Sequence, residues 1–206
     1  PLCLDVTNII KNYDLDIEVV GGRYGLSSKN TNLNDIEAVY EYMDNPSNKT
    51  FTIGINDDVT YLSLDRGTTK FEKDYDEMLI YGYGSDGMVT TSKDILTIVG
   101  ENTSKYVQGY FEYDSKKSGG VTKSHLRFGN NRIRSTYYVD SPKVVVCSKD
   151  SYLDKFDMLE NIKEDGIFLL NTENEDIKLP SRYVEIIKDR NIKFYTINAS
   201  KIAIDN

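Results

Sequence analysis

Residues 110–129 read YFEYDSKKSGGVTKSHLRFG. A lysine pair, Lys116 and Lys117, precedes two glycines between two runs of strand-forming residues. From Ser115 to Val139 there is no Asp or Glu, yet the window holds Lys116, Lys117, Lys123, Arg127, Arg132 and Arg134. The chain as a whole has formal net charge −8. A local reversal of sign in an acidic protein is the pattern of a polyanion site, and glycine lets the backbone come close to a ligand. A KKSGG turn is also the make-up of a solvated hairpin tip. On the residues alone both readings stand.

A second constellation is Gly84-Ser85-Asp86-Gly87, where an apolar-aromatic run hands over to a helical pattern. The first N–H groups of a helix lack intrahelical partners and its dipole is positive there, so an anion can sit on them. The plainer reading is a tight turn with Asp86 as the helix cap. The two constellations together describe a candidate cradle for a phosphate-rich ligand.

Other residue types give less. Asp57-Asp58 with Thr60 offers hard oxygen ligands, but adjacent carboxylates on a strand point to opposite faces, so a turn or cap role is expected. His125 is the only histidine and has no Ser-His-Asp pattern around it, which favours a structural hydrogen-bond role. Cys3 and Cys147 are too few for a disulfide framework or a tetrahedral metal site, and neither has a nearby His. There is no Walker A loop and no complete G-x-G-x-x-G. No residue is put forward as catalytic or metal-binding.

Composition sets the frame. With 206 residues, 39% hydrophobic and 28% charged, the chain is long enough for a packed core. The acidic balance argues against general nucleic-acid binding, and no apolar run approaches the length that spans a membrane. A reducing compartment such as the cytoplasm is expected. The chain opens at Pro1 in mid-pattern, as an excised piece of something longer would.

Helical and strand-forming patterns alternate along the chain. Helices are predicted over Leu4–Ile10, Asn32–Met43 with Asn32 as cap, from Val89 to about Gly100, Tyr152–Ile162 and Ser181–Arg190. Strands are predicted over Ile17–Val20, Thr50–Ile55, Val59–Leu64, Met78–Tyr83, Tyr106–Tyr113, Val121–Phe128, Ile133–Val139, Lys143–Cys147, Ile167–Leu170 and Lys193–Ile197. Asp44-Asn45-Pro46-Ser47-Asn48 reads as a linker and the place of a domain boundary. The βα alternation after it favours a three-layer α/β/α sandwich, preceded by a partial α/β segment.

Longer motifs carry a resemblance. VVGGRYGLSSK (Val19–Lys29), FTIGINDDVTYLSL (Phe51–Leu64), YGYGSDGMV (Tyr81–Val89) and YVQGYFEYDSKKSGGVTKSHLRFG (Tyr106–Gly129) resemble pyruvate:ferredoxin (flavodoxin) oxidoreductase. IRSTYYV, FDMLENIKEDGIFLLN and IKFYTINASKIAID continue it in the same order, so it covers essentially the whole chain. The resemblance implies that residues 1–45 are the C-terminal part of a transketolase-C-like domain II. Residues 46–206 would then be most of domain III, an α/β sandwich against the thiamine diphosphate domains.

It also implies a reaction: pyruvate and coenzyme A to acetyl-coenzyme A and CO2, with electrons passed to ferredoxin or flavodoxin. A close variant is fused to a flavin reductase and reduces NADP. The coenzyme A contacts implied here are Gly84, Ser85, Asp86, Gly87, Met88 and Lys116. Thiamine diphosphate, Mg and the 4Fe-4S clusters would sit in other domains of a full-length homodimer, leaving this piece inactive alone. The chain departs from the family pattern at Met88, where threonine is usual, and at Thr90-Thr91-Ser92, where Gly-Ala-Asn is usual; Lys93 fits. Methionine offers no hydroxyl donor. Those departures are what a reading of a different class, a non-catalytic structural or interaction module, would rest on.

Overall fold

The computed structural model describes residues 2–25, 30–55, 58–114, 120–174 and 176–205. These divide into two compact units, Pro1–Glu72 with Ser135–Tyr138, and Lys73–Arg134 with Val139–Asn206.

The first unit holds α1 (Leu2–Asn12), β1 (Gly21–Tyr24), α2 (Leu33–Asp44) and β2 (Thr50–Ile53). Strands β1 and β2 pair in parallel, Gly21 against Thr50 and Tyr24 against Ile53, with α2 as the crossover. The strand predicted at Ile17–Val20 thus lies a few residues later. Glycine is needed at position 22 in this strand, because a Cβ there would stand 2.5 Å from the Phe51 ring. Helix α2 starts as its sequence predicts: the Asn32 side chain accepts from Asp35 N–H, and the Asp35 carboxylate accepts from Asn32 N–H. Asp35 is buried and also takes Arg66 Nε at 2.7 Å. Ala38, Val39, Phe51 and Ile53 form this unit's small core.

The boundary expected at Asp44–Asn48 falls inside this unit, since β2 belongs to the β1 ladder; the division runs between Glu72 and Lys73. No strand forms over Val59–Leu64. The Asp58 carboxylate gathers that stretch into a turn by accepting from Thr52 Oγ1, Leu62 N–H, and both Thr60 N–H and Oγ1. Those bonds hold its pKa well below the usual carboxylate range, Thr60 contributing most. Asp57 lies outside the described residues.

The second unit is built on a six-stranded sheet in the order β4-β5-β3-β6-β7-β8. The strands are β3 (Tyr75–Tyr83), β4 (Tyr106–Tyr113), β5 (Val121–Gly129), β6 (Val144–Cys147), β7 (Ile167–Asn171) and β8 (Lys193–Ile197). β4, β5 and β3 are antiparallel to their neighbours, and β3, β6, β7 and β8 run parallel. Helix α3 (Met88–Asn102) lies on one face, with Met88 against Gly82 and Leu96 against Gly109. Both glycines are needed, because a Cβ at either would stand within 2.7 Å of the helix side chain.

The other face carries Leu79, Tyr81, Val145, Cys147, Phe168 and Leu170, covered by Tyr152, Leu153, Met158, Leu159, Ile162 and helix α4 (Ser181–Asp189). Phe168 stacks between Tyr183 of α4 and Phe194, at 5.9 and 5.4 Å. With helices on both faces, this is the three-layer α/β/α sandwich predicted. A short helix α5 (Ala199–Asp205) follows β8.

Two predicted elements take other forms. Tyr152–Ile162 is a 3-10 turn over Asp150–Tyr152 followed by further turns. Its apolar residues are buried at the expected places, but the Leu153 and Phe156 carbonyls are taken by Arg182 and the Tyr183 hydroxyl, outside any helical ladder. Ile133–Val139 forms no strand. β5 already has a partner on each side, and the Val139 N–H goes to His125 Nδ1 at 3.2 Å.

Candidate functional site

β3 ends at Tyr83 and α3 begins at Met88, so Gly84–Gly87 forms the connecting loop at the carboxyl end of the parallel strands. Asp86 organises it. Its carboxylate accepts from Tyr83 N–H at 2.6 Å, Met88 N–H at 3.0 Å and Ser148 Oγ at 2.6 Å. Gly87 is in the left-handed region at φ +79°, with nothing within 4 Å of where a Cβ would stand. The first intrahelical bond of α3 runs from Thr91 N–H to Gly87 O. With Met88 N–H held by Asp86, the N–H groups of Val89 and Thr90 remain in the first turn without an intrahelical acceptor. Asp86 therefore caps the helix from one residue before the expected position, and an anion would meet the second and third helical N–H groups rather than the first.

The neighbouring strands complete the rim. Gly84 N–H donates to Gly120 O at 3.1 Å, and Asp114 N–H donates to Val121 O at 3.1 Å. The β3–α3 loop is thereby tied to one flank of the lysine turn at Gly120, and that flank is paired with the other through Asp114 and Val121. Lys116 and Lys117 themselves lie outside the described residues. Next to β3, Ser148 follows β6. Its carbonyl accepts from Asn171 Nδ2 at 3.0 Å, and Asn171 Oδ1 accepts from Ala199 N–H at 2.9 Å. One chain of hydrogen bonds thus links the carboxyl ends of β3, β6, β7 and β8. Lys149 follows Ser148 and holds its ammonium 4.7 Å from the centre of the Tyr83 ring. The sequence reading missed both Ser148 and Lys149. Only the pairing of β6 beside β3 brings them to the loop, and spacing along the chain does not carry strand order.

Beneath the loop, Met88 packs over Gly82 beside Thr122, whose buried hydroxyl has no hydrogen-bond partner among the described residues. Ser85 is exposed.

The acid-free window is not one cationic surface. Arg127 is fully buried, with Nε on Glu77 at 2.9 Å and Nη1 on Gln108 at 3.0 Å. Glu77 also takes Lys73 at 2.9 Å, and Lys73 reaches Asp140 as well. Burial works against the Lys73 charge, but Glu77 and Asp140 prevail and raise its pKa. Lys123 pairs with Glu112 at 3.5 Å. Two of the six cations read as a polyanion site are therefore structural, because cross-strand neighbours bring acids from β3 and β4 that lie outside the window. Arg132 and Arg134 are exposed.

His125 has the structural role expected. Nδ1 accepts from Val139 N–H, so the proton is on Nε2, which faces Glu112 at 3.4 Å. Burial lowers the His125 pKa against the pull of Glu112. The bond to His125 leads in lowering Glu112 in turn. Cys147 is buried, its thiol pushed up to about 11 by burial. Cys3 lies in the first unit and is exposed. A 4Fe-4S cluster takes four cysteine thiolates, and two cysteines in separate units do not fit one. Among the described residues no cluster of three metal-ligating side chains occurs, and no helix is long and apolar enough to cross a membrane.

The family model for pyruvate ferredoxin/flavodoxin oxidoreductase matches residues 77–206, nearly the whole second unit. The chain is 44% identical to the pyruvate:ferredoxin oxidoreductase of Moorella thermoacetica, over 98% of this chain and 18% of that protein. It is also 44% identical to the pyruvate dehydrogenase [NADP(+)] of Cryptosporidium parvum, over 98% of this chain and 11% of that one. It thus spans less than a fifth of the length of these relatives. A solved structure, pyruvate oxidoreductase subunit PORC of Thermotoga maritima, is similar at 25% identity with a TM-score of 0.49, covering 65% of this chain and 67% of that one. The chain belongs to the pyruvate ferredoxin/flavodoxin oxidoreductase family.

Proposed function

We propose that this chain is the coenzyme A-contacting part of a pyruvate oxidoreductase. The whole protein would convert pyruvate and coenzyme A to acetyl-coenzyme A and CO2, passing electrons to ferredoxin or flavodoxin. In this reading the second unit, from Lys73 onward, is the third domain. The observation that carries the reading is the bond from Gly84 N–H to Gly120 O. It sets a glycine loop at a helix start against the flank of a lysine-bearing turn. Coenzyme A carries a diphosphate and a 3′-phosphate, which are the groups such a pair of features suits.

Each residue has a stated part. Gly84 and Gly87 keep the approach open, and Asp86 fixes the loop through its three donors. Val89 and Thr90 offer N–H groups, and Lys116 supplies charge. Thiamine diphosphate with Mg would carry the hydroxyethyl carbanion and iron–sulfur clusters would take the electrons. The residues present do not fit a cluster, and in this reading those groups would sit in other domains of a longer chain. An NADP-reducing variant is a second reading, because the chain is as similar to the NADP-linked relative as to the ferredoxin-linked one. Steady-state kinetics of the longer protein tests the proposal. Lys116→Ala and Gly87→Val should raise KM for coenzyme A and leave KM for pyruvate unchanged. A change confined to pyruvate would move the coenzyme elsewhere, and NADP serving as acceptor would select the second reading.

A further inference from the structure

We propose that Lys149 is a second cation of the same site, contacting a phosphate of the nucleotide portion of the ligand; this rests on the coenzyme A reading above. The place follows from topology. From β3 the chain leaves over one face through α3, whereas from β6 it crosses the opposite face to reach β7. Where neighbouring parallel strands send their connections to opposite faces, the carboxyl ends diverge and leave a crevice that takes ligands. β3 and β6 are such a pair, and the loop 84–87 and the segment Ser148–Lys149 are its two lips.

Charge supplies the need for a cation. Asp86 puts a carboxylate inside the loop, and that carboxylate takes the first N–H of α3. A phosphate placed on the remaining N–H groups of Val89 and Thr90 meets this negative charge. Lys149 stands on the facing lip, one residue beyond the Ser148 hydroxyl that binds Asp86. Among the described residues its ammonium has the Tyr83 ring and no carboxylate partner. An ammonium on an aromatic face is held near one place and still has N–H donors turned away from the ring for another acceptor.

A second observation points the same way. On the α3 side of the loop, the Thr122 hydroxyl is buried without a partner among the described residues, against the first helical residue Met88. An unmatched polar atom next to the loop is an exception to the rule that buried polar groups are paired.

Titration of the longer protein with coenzyme A and with pantetheine, which lacks the nucleotide phosphates, tests the assignment. Lys149→Met should raise Kd for coenzyme A about tenfold at low salt and flatten its salt dependence, with Lys149→Arg close to wild type. Pantetheine affinity should not change. Lys149 is exposed, and an unchanged thermal midpoint confirms that the variant is folded. Coenzyme A affinity unchanged by Lys149→Met overturns the assignment and leaves the coenzyme A reading intact. An equal loss for pantetheine overturns it too, because no phosphate contact was then removed. Failure of the wild-type protein to bind coenzyme A overturns both.

Discussion

The two halves of the second unit's sheet solve burial in opposite ways. In the parallel half, Val145, Cys147, Phe168 and Leu170 meet Tyr152, Leu159 and Tyr183 in an apolar core. In the antiparallel half, the continuation of the same face carries Glu77, Arg127, Gln108, His125 and Glu112, and its contacts are ion pairs and hydrogen bonds. A dry core tolerates loss of one group in proportion to the volume removed. A buried charge pair responds to the charge left behind. Two consequences follow: the halves should fail differently under mutation, and the cations of β5 are paired with acids of β3 and β4.

The largest effect is expected in the charged half. Arg127→Met leaves Glu77 buried with only Lys73 and the Ser141 hydroxyl as partners and should destabilise by about 3–5 kcal/mol in urea unfolding. Glu77→Leu combined with Arg127→Met should cost clearly less than the single change. A double variant at least as unstable as the single would show that the pair is not what this half depends on.

The apolar half should respond without such rescue. Leu170→Ala should cost about 2–4 kcal/mol, read from the same unfolding curves. A loss below about 1 kcal/mol would place Leu170 outside a tightly packed core.

At the junction of the halves, Asp86→Ala removes the acceptor for Tyr83 N–H, Met88 N–H and Ser148, for about 1–2 kcal/mol. Amide exchange should accelerate at Met88 and Tyr83. Unchanged protection at both would mean that the carboxylate does not hold the loop.

The smallest effect separates the halves by pH. His125 is held below its ordinary pKa, so the unfolded chain binds its proton first. Its contribution to stability is complete above the unfolded value of about 6.5 and is lost as pH falls through the lower folded value. Glu112, also lowered, extends the decline further into acid. His125→Gln should flatten the first part of that slope, measured as thermal midpoint against pH. The same slope in variant and wild type would assign the acid sensitivity elsewhere.

The same contrast governs what was legible in the sequence. In the parallel half, short apolar runs such as Ile167–Leu170 bounded by turn residues give strand and burial at once. In the antiparallel half, Arg127 and Lys123 were visible as cations, but their acids sit in β3 and β4, fifty and eleven residues away along the chain. Only the β3–β5–β4 register makes them partners. Tyr152–Ile162 shows a related limit: apolar spacing marks which residues are buried, yet tertiary bonds from Arg182 and Tyr183 decide the backbone. In the candidate site, the loop 84–88 is local and was readable. Ser148 and Lys149 required strand order and were not.

Direct titration of coenzyme A into the longer protein and its Lys116→Ala variant tests the central claim. Loss of one charge-assisted phosphate contact should raise Kd several-fold to about a hundredfold, more at low salt than at high salt. An affinity unchanged at every salt concentration would contradict the account and leave the lysine turn as a solvated hairpin tip.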